Sequence, residues 1–222
     1  SDPATPIKCG GAPKKIMYIV HDLLVKAGVR DKVELVFLPS GDKMFGVPEY
    51  NTAIFEQFKA RDFKWEFKTN LVAIDTEKKI ATFEKKWLEK GEYDEDVKEY
   101  TKISMSKHIT PPKKGPDAVA KSPLGSAKSW VPVVQETLQH VTYKNVFALG
   151  DVAAVPMGKT GGSARKQYNV VAENLIAVME KKDALPAKYD GYTVCPLITS
   201  IGTVMLAEFN WTAKPTPSFP LD

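Results

Sequence analysis

Apolar residues along the chain fall into helical and strand-like periods that alternate through most of its length. Ile16, Val20, Leu23, Leu24 and Ala27 recur at helical steps behind Pro13, a residue suited to a first helical turn, and Gly28 ends the run. The pattern predicts a helix with those five residues on its buried face. Val33 to Leu38 (VELVFL) reads as a strand closed by Pro39, Ser40 and Gly41. Pro48 to Ala60 reads as a second helix, its apolar positions Ala53, Phe55, Phe58 and Ala60 only loosely patterned. Trp65 to Phe67, Asn70 to Asp75 and Ile80 to Glu84 are short apolar runs separated by polar turns such as Thr76 to Lys79, which predicts a small antiparallel group. Glu84 to Lys102 is dense in charges of both signs and predicts a solvated hairpin or loop.

Further along, Trp130 to Val134 and Leu138 to Val141 read as short strands. They lead into NVFALGDVAAVPMGKTGGSARKQYNVVAENL, Asn145 to Leu175. Val146, Phe147, Ala148 and Leu149 form an apolar run closed by Gly150, the pattern of a strand buried on both faces in a parallel sheet. Ala164, Tyr168, Val171, Leu175 and Val178 then step by four, three, four and three, one apolar helical face, with Thr160 or Ser163 as its cap. In Tyr189 to Trp211 two apolar runs flank Ser200 to Gly202, a hairpin turning on glycine. Cys195 stands just before Pro196, which cannot donate to a central ladder, so an edge or kinked strand with an accessible thiol is expected. The last residues, PTPSFPLD, are proline-rich and carry no helical pattern.

Composition narrows the class without naming a function. With 222 residues, 43% hydrophobic and 26% charged, the chain has the make-up of a soluble globular protein. The 31 Lys and Arg exceed the 27 Asp and Glu by a net +4, too small an excess to argue for nucleic acid. No apolar run approaches the roughly 20 residues of a membrane span. Ser1 to Thr5 is short and polar, unlike a signal peptide. Two cysteines, Cys9 and Cys195, are too few for a secreted disulfide scaffold and form no zinc-like cluster, so no metal site is expected. His21, His108 and His140 read as structural, although His108 could titrate near neutrality.

Candidate chemistry gathers at two places. Ligands of open α/β sheets collect beyond the carboxyl ends of strands, which is where Gly150 and Asp151 stand. Glycine there permits close approach of a ligand to the backbone, and the Asp151 carboxylate can accept hydrogen bonds from sugar-type hydroxyls. The helix start that follows, with Gly161 and Gly162, offers backbone N–H groups to an anion or a polarised carbonyl. An ordinary strand, turn and helix with an exposed Asp is the competing reading, because Gly-Asp is common turn chemistry. At the other place, Cys9 precedes two glycines and a helix. It reads either as a small buried side chain or as a thiolate activated by the helix N-terminus.

KCGGAPKKIMY, FGVPEY, HITPP, TLQHVTYKNVFALGD, KTGGSARKQ, KYDGYTVCPL and LAEF, in that order and spacing, resemble the sulfide:quinone oxidoreductases, in particular the branch with the mitochondrial enzymes. The resemblance runs from about Pro6 to Asp222 and is weakest over Glu84 to Lys102. It implies an α/β chain, a partial Rossmann-like two-dinucleotide-binding flavoprotein fold with a small antiparallel β-meander and a C-terminal β-hairpin. The implied domains are 6–105, an incomplete second dinucleotide-fold-like domain; 106–188, the carboxyl-side part of an FAD-binding domain; and 189–222, a hairpin segment carrying the second cysteine.

By the same resemblance Cys9 and Cys195 are the redox-active pair. Gly150 and Asp151 fall on the Gly-Asp motif on the ribityl or phosphate side of FAD, and Lys159, Thr160 and Gly161 lie near the isoalloxazine. The implied partners are sulfide, a membrane quinone, and a thiol or other sulfane-sulfur acceptor. No N-terminal G-x-G-x-x-G turn is present, so a missing N-terminal FAD-binding portion is implied. The chain is then expected to be the carboxyl-side portion of a longer enzyme that lies peripherally on a bacterial cytoplasmic or mitochondrial inner membrane, soluble and inactive when taken alone. Two other functions remain open from sequence. One is an FAD-dependent NAD(P)H:quinone-type oxidoreductase, which needs no disulfide relay; the other is a non-catalytic redox-sensing or interaction domain.

Overall fold

The structure, a computed structural model, describes residues 1–4, 9–89, 92–101, 114–126 and 129–219, with the backbone only at 86–89 and 92–101. The chain divides into two compact units. The first holds Ser1–Pro112 and Pro196–Met205; the second holds Lys113–Cys195 and Leu206–Asp222.

In the first unit, helix α1 (Ala12–Lys26) begins with proline in its first turn, and Gly28 ends it in the left-handed region at φ 67°. Its buried face differs from the sequence pattern. Pro13, Lys14 and Tyr18 are buried, while Leu23 is 52% exposed. The reason is a buried ion pair: the Lys14 ammonium lies 2.5 Å from Asp2 Oδ2 and 4.8 Å from the Phe37 ring centre, which holds that face inward.

Strand β1 (Val36–Phe37), helix α2 (Pro48–Ala60) and strand β2 (Lys64–Trp65) form a β-α-β crossover. β1 and β2 run parallel, with Val36 opposite Lys64 and Phe37 opposite Trp65. The strand expected over Val33 to Leu38 is thus two residues long, and Trp65 pairs in parallel with β1 instead of joining the antiparallel group. Tyr18, Phe37, Phe58 and Phe63 meet edge to face or tilted, with centroids 5.1–6.0 Å apart, and make this unit's aromatic core.

Strands β3 (Thr69–Asp75), β4 (Ile80–Glu89) and β5 (Glu92–Thr101) form the expected antiparallel meander. The turn between β3 and β4 is held by Asp75 Oδ1, which accepts from the N–H groups of Glu77 and Lys78. The charged stretch from Glu84 is the β4–β5 hairpin over its described part.

In the second unit a short helix, α3 (Asp117–Ala120), precedes a region of single bridges. Val131 pairs with Ala153, Val133 with His140 and Gln139 with Phe147. No parallel strand forms over Val146 to Leu149, contrary to the sequence pattern. That run has one antiparallel neighbour, through His140 N–H to Val146 O and Ala148 N–H to Leu138 O, and among its residues Ala148 is buried while the others are half-buried. Val131, Val133, Leu138, Ala148, Ala153, Val155, Val170 and Tyr189 form the unit's core.

Helix α4 (Gly161–Met179) packs on that core through Ser163, Gln167, Val170, Asn174 and Ala177. The face expected to be buried is instead outward at Tyr168 and Leu175. Buried amides decide the phase. Asn174 Nδ2 donates to Thr137 O and Ala187 O, and its Oδ1 accepts from the Ala187 N–H at 3.0 Å. An amide so fully satisfied is stable inside, and rolling the helix outward would break all three bonds.

The hairpin of β6 (Thr193–Ser200) and β7 (Thr203–Phe209) turns at Ile201 and Gly202. Its tip belongs to the first unit, where Asp22 Oδ2 accepts from Ser200 Oγ and from the Ile201 N–H, both at 2.7 Å, and Arg61 donates to Thr199 O. At its base in the second unit, Glu208 is 3% exposed and accepts from Ser218 N–H, Ser218 Oγ and the Tyr192 hydroxyl, so the proline-rich tail is strapped to the strand as far as it is described.

Candidate functional site

The loop from Gly150 to Gly161 is built by one turn and one cap. Gly150 is buried at φ 66°, opening a single 3-10 turn over Gly150–Val152 that leaves Asp151 exposed. A left-handed φ there favours glycine. At the far end Thr160 caps α4, its Oγ1 accepting from the Ser163 N–H. Of the two caps expected, Thr160 is the one used, with Ser163 Oγ 2.8 Å from it.

Lys159 ties the loop together from inside. Its ammonium donates to Asp151 O at 2.7 Å and to Ala153 O at 2.5 Å, and it sits 4.5 Å over the Trp130 ring. Gln167 closes the loop from behind. Its Oε1 accepts from the Gly150 N–H at 2.7 Å and its Nε2 donates to Gly158 O at 3.1 Å. Gln167 is fully buried and was not among the residues the sequence singled out. A polar residue one helical turn beyond Lys-Thr-Gly-Gly, in phase with the cap, is the signal that would have found it.

Gly150, Asp151, Lys159, Thr160 and Gly161 are therefore brought together in one loop and helix start. Space is open beside Gly161, where an added Cβ would meet nothing within 4 Å. Gly162 packs closely instead, since a Cβ there would fall 2.1 Å from Val194 Cγ1. The first turn of α4 carries no acidic residue, so its N-terminal partial charge is not offset there. The open helix start offers hydrogen-bond donors, and the exposed Asp151 carboxylate an acceptor, to a polar ligand.

Cys9 belongs to the first unit and is half-buried. Its carbonyl accepts from the Ala12 N–H, which places it at the N-terminus of α1, and Lys15 Nζ stands 4.0 Å from its sulfur. Both favour negative charge on the sulfur. Cys195 belongs to the second unit, on β6, between the outward-facing Pro196 and the half-buried Val194. Its thiol is not accessible as the sequence pattern suggested. Thr193, Cys195 and Leu197 form the inward face of the strand, and Cys195 is 3% exposed.

His140 is held as a structural histidine, its Nδ1 accepting from the N–H groups of Thr142 and Tyr143. His108 lies outside the described residues.

No protein-family model matches the chain. Individual proteins do. The mitochondrial sulfide:quinone oxidoreductase of Mus musculus is 39% identical over 221 residues, 99% of this chain and 47% of its own length. That of Dictyostelium discoideum is 41% identical over 224 residues, again 99% of this chain and 46% of its own length. This chain is a relative of the sulfide:quinone oxidoreductases. It spans about half the length of the curated relatives it matches. The X-ray structure of the sulfide:quinone oxidoreductase from Aquifex aeolicus superposes on 96% of the chain and 53% of that protein, with a TM-score of 0.71 at 21% identity. The α/β fold of this chain is thus the fold of about half of that protein. Among the described residues no helix is long and apolar enough to cross a membrane.

Proposed function

We propose that this chain carries the cysteine chemistry and part of the flavin site of a sulfide:quinone oxidoreductase. The observation behind the reading is its 39–41% identity to two mitochondrial enzymes of that name across 99% of the chain. In this reading Cys9 and Cys195 form a redox-active disulfide. Hydrosulfide attacks one sulfur, a new S–S bond forms as the bond between the cysteines breaks, and the second cysteine leaves as a thiolate.

The better leaving sulfur is the one whose negative charge is stabilised. Lys15, 4.0 Å from Cys9, and the N-terminus of α1 supply that at Cys9. Cys195 then carries the persulfide, whose outer sulfur passes to a thiol or other sulfane-sulfur acceptor. Loss of that sulfur leaves two thiolates, which give up an electron pair as the disulfide re-forms.

Gly150, Asp151, Lys159, Thr160 and Gly161 would hold the cofactor: Asp151 by accepting from a hydroxyl of its chain, and the α4 N-terminus by favouring negative charge beside it. A bound FAD supplies the two-electron acceptor between the cysteine pair and a membrane quinone. The longer enzyme of this reading works against the membrane that holds the quinone.

The cysteine steps can be tested without the cofactor. After mild oxidation, peptide mapping finds Cys9 linked to Cys195. Anaerobic sulfide then leaves one extra sulfur atom on Cys195 and an alkylatable thiol at Cys9, read by mass spectrometry. Absence of the linked peptide, or no sulfur added to either residue, contradicts the reading.

A further inference from the structure

Within the second unit, two contacts seat the strand of Cys195 on the start of α4. The first is at Gly162, the second residue of that helix. Alanine is the better helix former, so helix formation itself does not select glycine there. The neighbour does. A Cβ on Gly162 would fall 2.1 Å from Val194 Cγ1, so the first turn of α4 touches β6 at the residue before Cys195. Successive side chains of a strand point to opposite faces, and Val194 therefore fixes the backbone at Cys195 without covering its sulfur.

The second contact is polar. Tyr189 is 2% exposed, and its hydroxyl donates to Tyr192 O at 2.5 Å. The side chains of Gln167, Ser163 and Thr193 hydrogen-bond to the same hydroxyl. Gln167 and Ser163 belong to α4, and Thr193 stands two residues before Cys195 on β6. The hydroxyl also occupies the space beside Gly158: a Cβ there would fall 2.6 Å from it and 2.9 Å from Gln167 Nε2. Through Gln167, which holds Gly150 N–H and Gly158 O, the network reaches both ends of the loop. A buried network with its members satisfied is stiff.

We propose that Gly162 and Tyr189 are positioning residues for the sulfide reaction, setting how far Cys195 stands from the loop of Gly150 to Gly161. The inference rests on the proposed function, in which that loop holds the cofactor and the cysteines give up an electron pair to it. Val194 is stiff at χ1, so a methyl added at Gly162 parts strand and helix by about 1 Å, a displacement able to slow a reaction about a hundredfold.

The test uses a full-length enzyme that contains this chain. Gly162→Ala is expected to slow reduction of the bound flavin by sulfide about a hundredfold, while the persulfide on Cys195, read by mass spectrometry in the FAD-free enzyme, stays at the wild-type yield. Adding Val194→Ala removes Cγ1 and leaves the Cβ of residue 194 at 3.6 Å, an ordinary contact, so the pair should recover the wild-type rate. Tyr189→Phe keeps the ring and removes the hydroxyl alone. In the FAD-free enzyme it should speed amide hydrogen exchange at Gly150 and across Thr193 to Cys195 together, leaving the β3–β5 meander as in the wild type.

Three results would overturn the proposal. They are flavin reduction by Gly162→Ala at the wild-type rate, slowing that Val194→Ala does not relieve, and a Tyr189→Phe enzyme whose exchange is unchanged at either place. The wild-type persulfide separates the two readings. If it is absent, the sulfide chemistry has failed and this proposal falls with it; if it is present, any of the three results strikes the positioning role alone.

Discussion

At the scale of single residues, several side chains do work that their type would not suggest. Lys14, 1% exposed, is a core residue because Asp2 neutralises it and Phe37 faces its charge. Gln167 shapes the Gly150 to Gly161 loop without being part of it. Asp22 fastens the tip of the β6–β7 hairpin, and the Ile201 N–H, then Ser200 Oγ and His21, hold its carboxyl down at about 2 from the usual 3.8. A carboxyl depressed in the folded state adds stability that is present above its unfolded value and is lost as pH falls through its folded value. The Asp22 contribution is therefore full at neutral pH and disappears between about pH 4 and pH 2. Replacing Asp22 with Asn should cost about 1–2 kcal/mol at pH 7. Denaturant titrations of the two proteins should then converge near pH 2; a gap that stays constant with pH would refute this role for the carboxylate.

At the scale of elements, the positions of α1, α2, α4, the meander and the hairpin were legible in the sequence. Proline at helix starts, glycine at turns and helical or alternating periods announce them. The phase of two helices was not legible. α1 and α4 bury Lys14, Gln167 and Asn174, whose partners an apolar period does not reveal, so that reading missed the buried face of α1 and set that of α4 one residue too far along, with Val171 still against the core. The strand expected over Val146 to Leu149 failed for a related reason. An apolar run suggests two neighbours, and here one side is served by the 138–140 segment while the next N–H, of Gly150, goes to a glutamine.

The buried face of α4 makes a direct prediction. Gln167→Ala strands the Gly150 N–H and the Gly158 carbonyl, and Asn174→Ala strands groups of Thr137 and Ala187; each should cost about 2–4 kcal/mol in urea unfolding. Leu175→Gln, on the exposed face, should stay within about 0.5 kcal/mol. The opposite order, with the leucine change the costly one, would mean that the apolar face is the buried one.

At the scale of the whole molecule, the loop around Gly150 and Asp151 was recognisable from its order of residues alone: a strand-like run, Gly-Asp, then Lys-Thr-Gly-Gly at a helix start. Cys9 was legible as a cysteine at a helix N-terminus, but Lys15 beside it was not, because a lysine six residues on becomes a neighbour only once the helix has formed. Cys195 was legible as a strand residue, but its burial was not, since Pro196 argued for exposure while the alternation of Thr193, Cys195 and Leu197 places it inward.

In the proposed function the two cysteines pass the electrons of sulfide to a flavin beside that loop. The most direct measurement adds sulfide anaerobically to an FAD-loaded full-length enzyme that contains this chain and follows the flavin absorbance, comparing wild type with Cys9→Ser and Cys195→Ser. Bleaching in the wild type that either serine slows by orders of magnitude is the result this account predicts; serine variants that bleach as fast as the wild type would contradict it.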